Sequence, residues 1–267
     1  MVESQMAENQ IRFEDGAGYE RMMGRWSRLA GEKFLDWLAV PPGLRWIDVG
    51  CGSGAFSELV VERCAPAEVQ GIDPSEGQLA FARKRPAARL AEFRLGNATQ
   101  LPFPDHRFDA AVMALVIFFL PDPAQGVAEM ARVVSAGGLV AAYAWDMLGG
   151  GFPVEPIHAE LRALGINPLR PPSPEASRLE RLRQLWAGAG LTDIETRDIA
   201  VQRTFIDFAD FWTTTLSGSS VAPTIAAMAA PDVDRLKQRV RARLAEDAQG
   251  RISYGARANA VKGRVPK

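Results

Sequence analysis

The sequence predicts an α/β protein: a doubly wound, mostly parallel seven-stranded sheet with a helical cap. Three observations predict it. From Arg45 onward, short apolar runs alternate with helical stretches, the signature of βαβ units. The apolar run at 45–49 passes through three alternate glycines straight into a helix. Two long strand-like segments lie beyond residue 190, joined by helices, and extend a sheet that five earlier strands begin.

Tyr19, Met22, Met23, Trp26, Leu29, Ala30, Phe34, Trp37 and Leu38 recur at spacings of three and four. They predict an amphipathic helix that stops before Pro41-Pro42-Gly43 and lies across the core. Strands follow at 45–49, 68–72, 91–95, 108–114 and 138–145, with helices at 55–63, 76–85 and 122–134 among them. The Gly137-Gly138 pair fits a helix end that turns directly into the fifth strand. Segment 147–190 is rich in Gly and Pro with two helical stretches, and reads as a cap insertion. A strand at 191–205, helices at 208–228 and 232–246, and a strand at 251–261 complete the pattern.

Hydrophobic residues make up 47% and charged residues 24%, the balance of a folded globular chain rather than a disordered one. With 31 Lys plus Arg against 32 Asp plus Glu, the net charge of -1 creates no global field for gathering nucleic acid. Cys51 and Cys64 provide no disulfide framework and read as reduced thiols. The opening residues have neither the basic start nor the apolar run of a secretory signal, and no apolar stretch reaches the roughly 18 residues of a membrane span. A cytoplasmic protein is expected, with no membrane partner, no nucleic-acid partner and no metal site. The first 15 residues lack periodic apolar positions and are expected to be mobile.

The strongest signal is Trp46-Ile47-Asp48-Val49-Gly50-Cys51-Gly52-Ser53-Gly54-Ala55-Phe56, a strand, a glycine turn and a helix. Glycines allow the turn its unusual dihedrals and let a ligand approach the backbone. N–H groups at the helix start would face a polar or anionic group. Asp73, ending the next strand, is placed to accept from two ribose hydroxyls, and Ser75 is a candidate cap of the following helix. Gly50, Gly52 and Ala55 also satisfy a dinucleotide pattern, so the glycines leave the choice of nucleotide cofactor open.

Further ordered segments narrow that choice. IDVGCGSG, GIDPSEGQLAFAR, GNATQLPFPDHRFDAAVMALVIFFLPDP and EMARVVSAGG resemble, in that order, the class I methyltransferases, particularly the branch of ubiquinone and menaquinone biosynthesis. The likeness covers residues 19–146. It implies S-adenosyl-L-methionine as cofactor and a Rossmann-like methyltransferase fold. It further implies that Asp48 and Gly50 contact the methionine end, that Gly52 and Gly54 leave room for it, and that Asp73 holds the ribose. Asn97 and Ala98 would border the adenine, with Ser75 and Gln78 near the adenosine. Many relatives have an aspartate where this chain has Asn97, whose amide oxygen can still accept from an exocyclic amine. Met113, Ala114 and Leu115 would leave the fourth strand beside the transferable methyl. Tyr19 and Arg25 resemble residues that close over the cofactor, Arg25 by pairing with its carboxylate. The division is then 1–15 flexible N-terminus, 16–146 first helix and cofactor-binding core, 147–190 cap, and 191–267 last two strands with helices between them.

A sulfonium donor carries its own leaving group, so the expected task of the protein is alignment within a dry pocket. A base is needed only when the acceptor loses a proton. His106 sits in a polar turn and suits a surface role; His158, within the cap, is the candidate base. Phe118-Phe119 occupies a position where relatives often have histidine, offering an apolar acceptor wall or simple packing. Phe152, Trp186, Phe205, Phe208, Phe211 and Trp212 supply aromatic surface, most of it for packing the lobe. Gly149-Gly150-Gly151 is a lid hinge or a passive loop. Arg235, Lys237, Arg239, Arg241 and Arg243 lie opposite an apolar stripe and read as a solvated face. The expected function is methyl transfer to a small apolar or aromatic molecule by in-line displacement. The rivals are a noncatalytic cofactor-binding regulator and an RNA methyltransferase.

Overall fold

The computed structural model describes residues 20–267, so Tyr19 and the segment expected to be mobile lie outside the described residues. Seven strands form one sheet: β1 (Arg45–Val49), β2 (Glu68–Asp73), β3 (Ala91–Leu95), β4 (Phe108–Ala114), β5 (Val134–Trp145), β6 (Thr192–Phe205) and β7 (Ile252–Arg264). Their order is β3-β2-β1-β4-β5-β7-β6. The first five are parallel, and β7 enters antiparallel between β5 and β6. Central strands β1, β2 and β4 are nearly continuous buried runs because helices cover both faces.

One residue step on β7 shows the two layers. Lys262 stacks over Trp37 of helix α1 (Arg25–Leu38), 4.7 Å from the ring centre, whereas a Cβ at Gly263 would strike Trp186 of α6 (Leu179–Gly188). Neighbours on a strand point to opposite faces. The sheet is therefore sandwiched, as double winding requires. On the first face Tyr143 of β5 meets Phe34 of α1 at 4.6 Å and Phe56 of α2 (Ala55–Cys64) at 5.9 Å. Helix α3 (Glu76–Ala82) follows β2. Helix α4 (Pro123–Val133) belongs to the second face with α6, packing Gly126 against Met113.

Four expectations about elements change. Gly137-Gly138 lies inside β5, which starts directly at Val134: Gly137, with φ +76°, donates to Val265 where the β4–β5 register slips. The helix expected at 208–228 is two, α7 (Phe208–Leu216) and α8 (Ala222–Ala226), broken where Gly218 adopts φ +72°. Segment 147–190 divides: α5 (Glu155–Ala163) packs on α9 (Ala230–Ala242), while α6 lies on β6 and β7 as a crossover helix of the sheet. Gly149-Gly150-Gly151 is pinned rather than hinged, because Asp146 accepts from Gly149 and Gly151, and Gly151 accepts from Arg257.

The basic side chains of α9 are engaged internally. Arg239 and Arg243 both pair with the buried carboxylate of Glu160, Arg235 with Asp232 and Arg241 with Glu246, and Lys237 lies over Trp212. Leu236 and Val240 fill the opposite face.

Trp186 is fully buried and its indole N–H donates to Val140 at 2.9 Å. Trp186→Phe keeps an aromatic ring but removes that donor and leaves the space of the lost ring unfilled, at an expected cost of about 1–2 kcal/mol. Thermal unfolding should show Tm falling by several degrees, and an unchanged Tm would mean the bond adds nothing.

Candidate active site

Strand order reverses between β1 and β4, and in an open α/β sheet the crevice outside that switch point receives the ligand. β1 ends there at Val49, and the chain must fold back at once. Gly50 and Cys51 both donate to the carbonyl of Ile72, at 2.7 and 3.0 Å, and Gly54 donates to Cys51. Gly50, Gly52 and Gly54 have φ of +77°, +52° and +77°. Gly52 donates to Asp73 Oδ2 at 2.9 Å, and Ser75 donates to Asp73 Oδ1 at 2.8 Å. Four loop amides are thus turned inward, three to backbone carbonyls and that of Gly52 to the Asp73 carboxylate. That arrangement is a poor cradle for a dinucleotide pyrophosphate.

The glycines differ in purpose. A Cβ at Gly50 would meet Val116 at 2.5 Å, and one at Gly54 would meet Ala82 at 2.9 Å and Phe93 at 3.0 Å. Those two are glycine because protein packs against them. At Gly52 the nearest atom is Gln78 Oε1, 4.0 Å away, so only Gly52 borders open space. The expectation that Gly54 leaves room for a cofactor is corrected accordingly.

Asp48 lies beneath this turn, 2% exposed. Its Oδ2 accepts from Ser57 at 2.7 Å; its Oδ1 is buried with no partner among the described residues. Burial pushes the carboxyl up to about 7, Ser57 opposes this, and the nearby Asp73 adds to it. Burial also raises Asp73, against the pull of the Ser75 and Gly52 amides. Each Asp73 oxygen accepts one backbone N–H and retains capacity for a hydroxyl. Ser75 caps α3 by accepting from Gln78 N.

Asn97 is exposed, and its Oδ1 accepts from both the amide and the hydroxyl of Thr99. The oxygen expected to meet an amine is therefore engaged in its own turn, beside half-buried Ala98. Met113 is core, its side chain against Gly126. Ala114 ends β4, and Leu115 turns out of it with φ +64°, held by donation to Tyr143 O at 2.8 Å. Arg25 opens α1, exposed. The guanidinium of Arg203 is held below its usual range by burial and by the like charge of Arg25.

Sequence reasoning missed a clamp. Arg85 donates to Ser53 O at 2.6 Å, and pairs with Glu58 at 2.8 Å and Glu20 at 3.0 Å, tying the glycine turn to α2 and to the π-type turn Glu20–Gly24 before α1. The arginine lies past the end of α3, within the stretch expected to be helical, so nothing in its periodicity marked it.

Beyond Leu115 a pocket opens, walled by Met22, Met23, Phe118, Phe119, Trp145, Met147, Phe152 and His158 among others. Of the six cap aromatics considered, Phe152 reaches it. Trp186 is under the sheet, Phe205 and Phe211 pack with Trp26 and Tyr254, and Phe208 and Trp212 pack together beneath Arg241 and Lys237. His158 is 8% exposed with its ring 5.5 Å from that of Phe152. Burial, then the charges of Arg162 and Arg170, lower its imidazole to about 4, so it is neutral at physiological pH. His106 is exposed in its turn, as expected.

Residues 47–142 match the family model described as a methyltransferase domain. Those residues form a methyltransferase domain. The chain is 35% identical over 114 residues to a demethylmenaquinone methyltransferase of Desulfitobacterium hafniense, covering 41% of this chain and 45% of that protein. It is 34% identical over 128 residues to a malonyl-[acyl-carrier protein] O-methyltransferase of Serratia marcescens, covering 48% and 49%. The chain spans about half the length of the curated relatives it matches. Among solved structures, the phosphoethanolamine N-methyltransferase 2 of Haemonchus contortus superposes with TM-score 0.56 at 18% identity over 94% of this chain and 56% of that one. The [4+2]-cyclase SpnF does so with TM-score 0.55 at 21% identity over 90% and 81%. The methyltransferase fold is thus shared with an enzyme named for another reaction, and the chemistry has to be argued from the site.

Gly52→Ala and Gly54→Ala both force a side chain into the left-handed region, but only the second drives it into Ala82 and Phe93. Thermal unfolding of the ligand-free methyltransferase domain should show Gly54→Ala losing at least about 1 kcal/mol more than Gly52→Ala. Equal losses would overturn the assignment.

Proposed function

We propose that this chain is an S-adenosyl-L-methionine-dependent methyltransferase acting on a small apolar or aromatic acceptor. The observation that carries the reading is the orphan oxygen of Asp48 at the switch point. A buried carboxylate with one oxygen unpaired repels a pyrophosphate and calls for a cation, and the ammonium of a methionine moiety supplies one. The family match over residues 47–142 supports the same cofactor.

Residue roles follow from placement. Asp48 and the Gly50–Gly52 backbone receive the methionine end, with Arg25 as partner of its carboxylate. Asp73 takes the ribose hydroxyls, and Ser75, Gln78, Asn97 and Ala98 border the adenosine. Bound S-adenosylmethionine supplies an electrophilic methyl on a cationic sulfur. The chain aligns the acceptor with that methyl and excludes water, which is the function of the apolar pocket next to Leu115. Neutral His158 can accept a hydrogen bond from an acceptor hydroxyl; with an imidazole near 4, it passes a proton on to solvent rather than holding it. The names of the quinone-ring methyltransferase relatives support a small-molecule acceptor. The expected setting is the cytoplasm; among the described residues no helix is long and apolar enough to cross a membrane.

Calorimetry with S-adenosylhomocysteine should give a micromolar-range Kd, and no binding at millimolar ligand would overturn the reading. Binding of the ammonium favours ionised Asp48, so affinity should fall as pH drops below about 7, by at most tenfold per pH unit. Asp48→Asn should flatten that profile and weaken binding at pH 8 by tenfold or more. The same variant should raise the Tm of the ligand-free protein at pH 8, because it removes an uncompensated buried charge. Asp73→Ala should also weaken binding, and an unchanged affinity would mean the ribose lies elsewhere. Tritium transfer from labelled S-adenosylmethionine to a hydroxy-aromatic panel separates an enzyme from a noncatalytic binder.

A further inference from the structure

One residue of the pocket wall carries an unpaired donor. Trp145, the last residue of β5, is 2% exposed and forms part of the pocket wall, and its indole N–H has no partner among the described residues. Buried indole N–H groups ordinarily find one. The neighbouring walls are side chains of Met22, Met23, Phe118 and Met147, none of which offers a strong acceptor. The polar side chains of the same wall, His158, Ser219 and Ser220, do not bond to that N–H. Trp46 Nε1 and Arg203 Nε also lack a partner among the described residues, but neither residue belongs to this wall.

We propose that Trp145 is the specificity-determining donor of the acceptor site, and that the acceptor is a planar ring carrying a carbonyl or hydroxyl oxygen which accepts from Trp145 Nε1–H. This rests on reading the pocket as the acceptor site of the proposed methyltransferase. The oxygen orients the ring, because the rest of the wall is non-directional apolar surface. The free space in the pocket is about 40 Å³, room for no more than a few waters, so a ring enters by displacing side chains. Met22, Met23 and Met147 are the adaptable ones. A ring without the oxygen would leave the N–H buried and unmet, and a site built around a donor discriminates strongly against such an analogue.

The probes are 1-tetralone, which has the oxygen, and tetralin, which lacks it. Apolar transfer alone favours tetralin, so the two explanations predict opposite orders of affinity. With S-adenosylhomocysteine present, 1-tetralone should bind about tenfold more tightly than tetralin. In spectra of protein with 15N-labelled indoles, 1-tetralone should move one of the six tryptophan N–H signals downfield, and tetralin should not. Trp145→Phe should remove that signal and reverse the order so that tetralin binds more tightly, leaving S-adenosylhomocysteine affinity unchanged. Binding of 1-tetralone by the wild-type protein equal to or weaker than that of tetralin, no indole shift, or a preference for 1-tetralone surviving in Trp145→Phe would each overturn the proposal. The spectra of the wild-type protein decide it even where the variant does not fold. The two readings fail separately. Discrimination without S-adenosylhomocysteine binding keeps the donor and removes the cofactor; S-adenosylhomocysteine binding without discrimination removes the donor alone.

Discussion

Everything at the crevice depends on the tightness with which β1 ends. Two successive amides, Gly50 and Cys51, close on the single carbonyl of Ile72, and a chain can do this only with positive φ at Gly50. The turn then sits on β2 instead of projecting over it, which brings the Gly52 amide to Asp73. That bond and the Ser75 amide fix the Asp73 carboxylate from two sides, so one turn positions the residues of two strands. Arg85 secures the far side of the turn by its bonds to Ser53, Glu58 and Glu20, and the segment leading into α1 becomes part of the same construction.

The price of this geometry is an electrostatic one. The turn seals Asp48 beneath it, and Ser57 satisfies only one of the two carboxylate oxygens. A buried group whose folded-state titration lies above its unfolded one makes the fold less stable as pH rises between the two values, here from about 4 to about 7. The ligand-free protein therefore carries this cost at physiological pH.

The local part of this was legible in the sequence. Strand, glycine turn, helix and the acidic strand end at Asp73 are all contiguous patterns, and the structure places them where periodicity and turn chemistry indicated. What escaped depends on distant partners. Gly54 carries the same motif signal as Gly52, yet its reason for being glycine is Ala82 on another helix and Phe93 on another strand. Trp145 ends a strand whose burial looked complete, and nothing in the sequence shows that its N–H lacks an acceptor. Trp186 belonged by position to a cap and by packing to the sheet, since helical periodicity reports an apolar face without reporting what covers it. Arg25 was legible as a charge near the first helix but not as the neighbour of Arg203, 178 residues away in sequence.

The cofactor crevice and the acceptor pocket share one stretch of backbone, and this links their behaviour. Val116 packs into the space that Gly50 leaves empty, while the preceding residue, Leu115, walls the pocket. Leu115 is held in the left-handed region by its bond to Tyr143, a conformation that costs a non-glycine residue about 1–2 kcal/mol. A displacement of the glycine turn would press on Val116, next to the strained residue beside the pocket. The same coupling runs in reverse, because a ring that displaces the pocket walls presses on Leu115. An N-methyltransferase and a [4+2]-cyclase share this fold, so the fold alone does not decide the reaction.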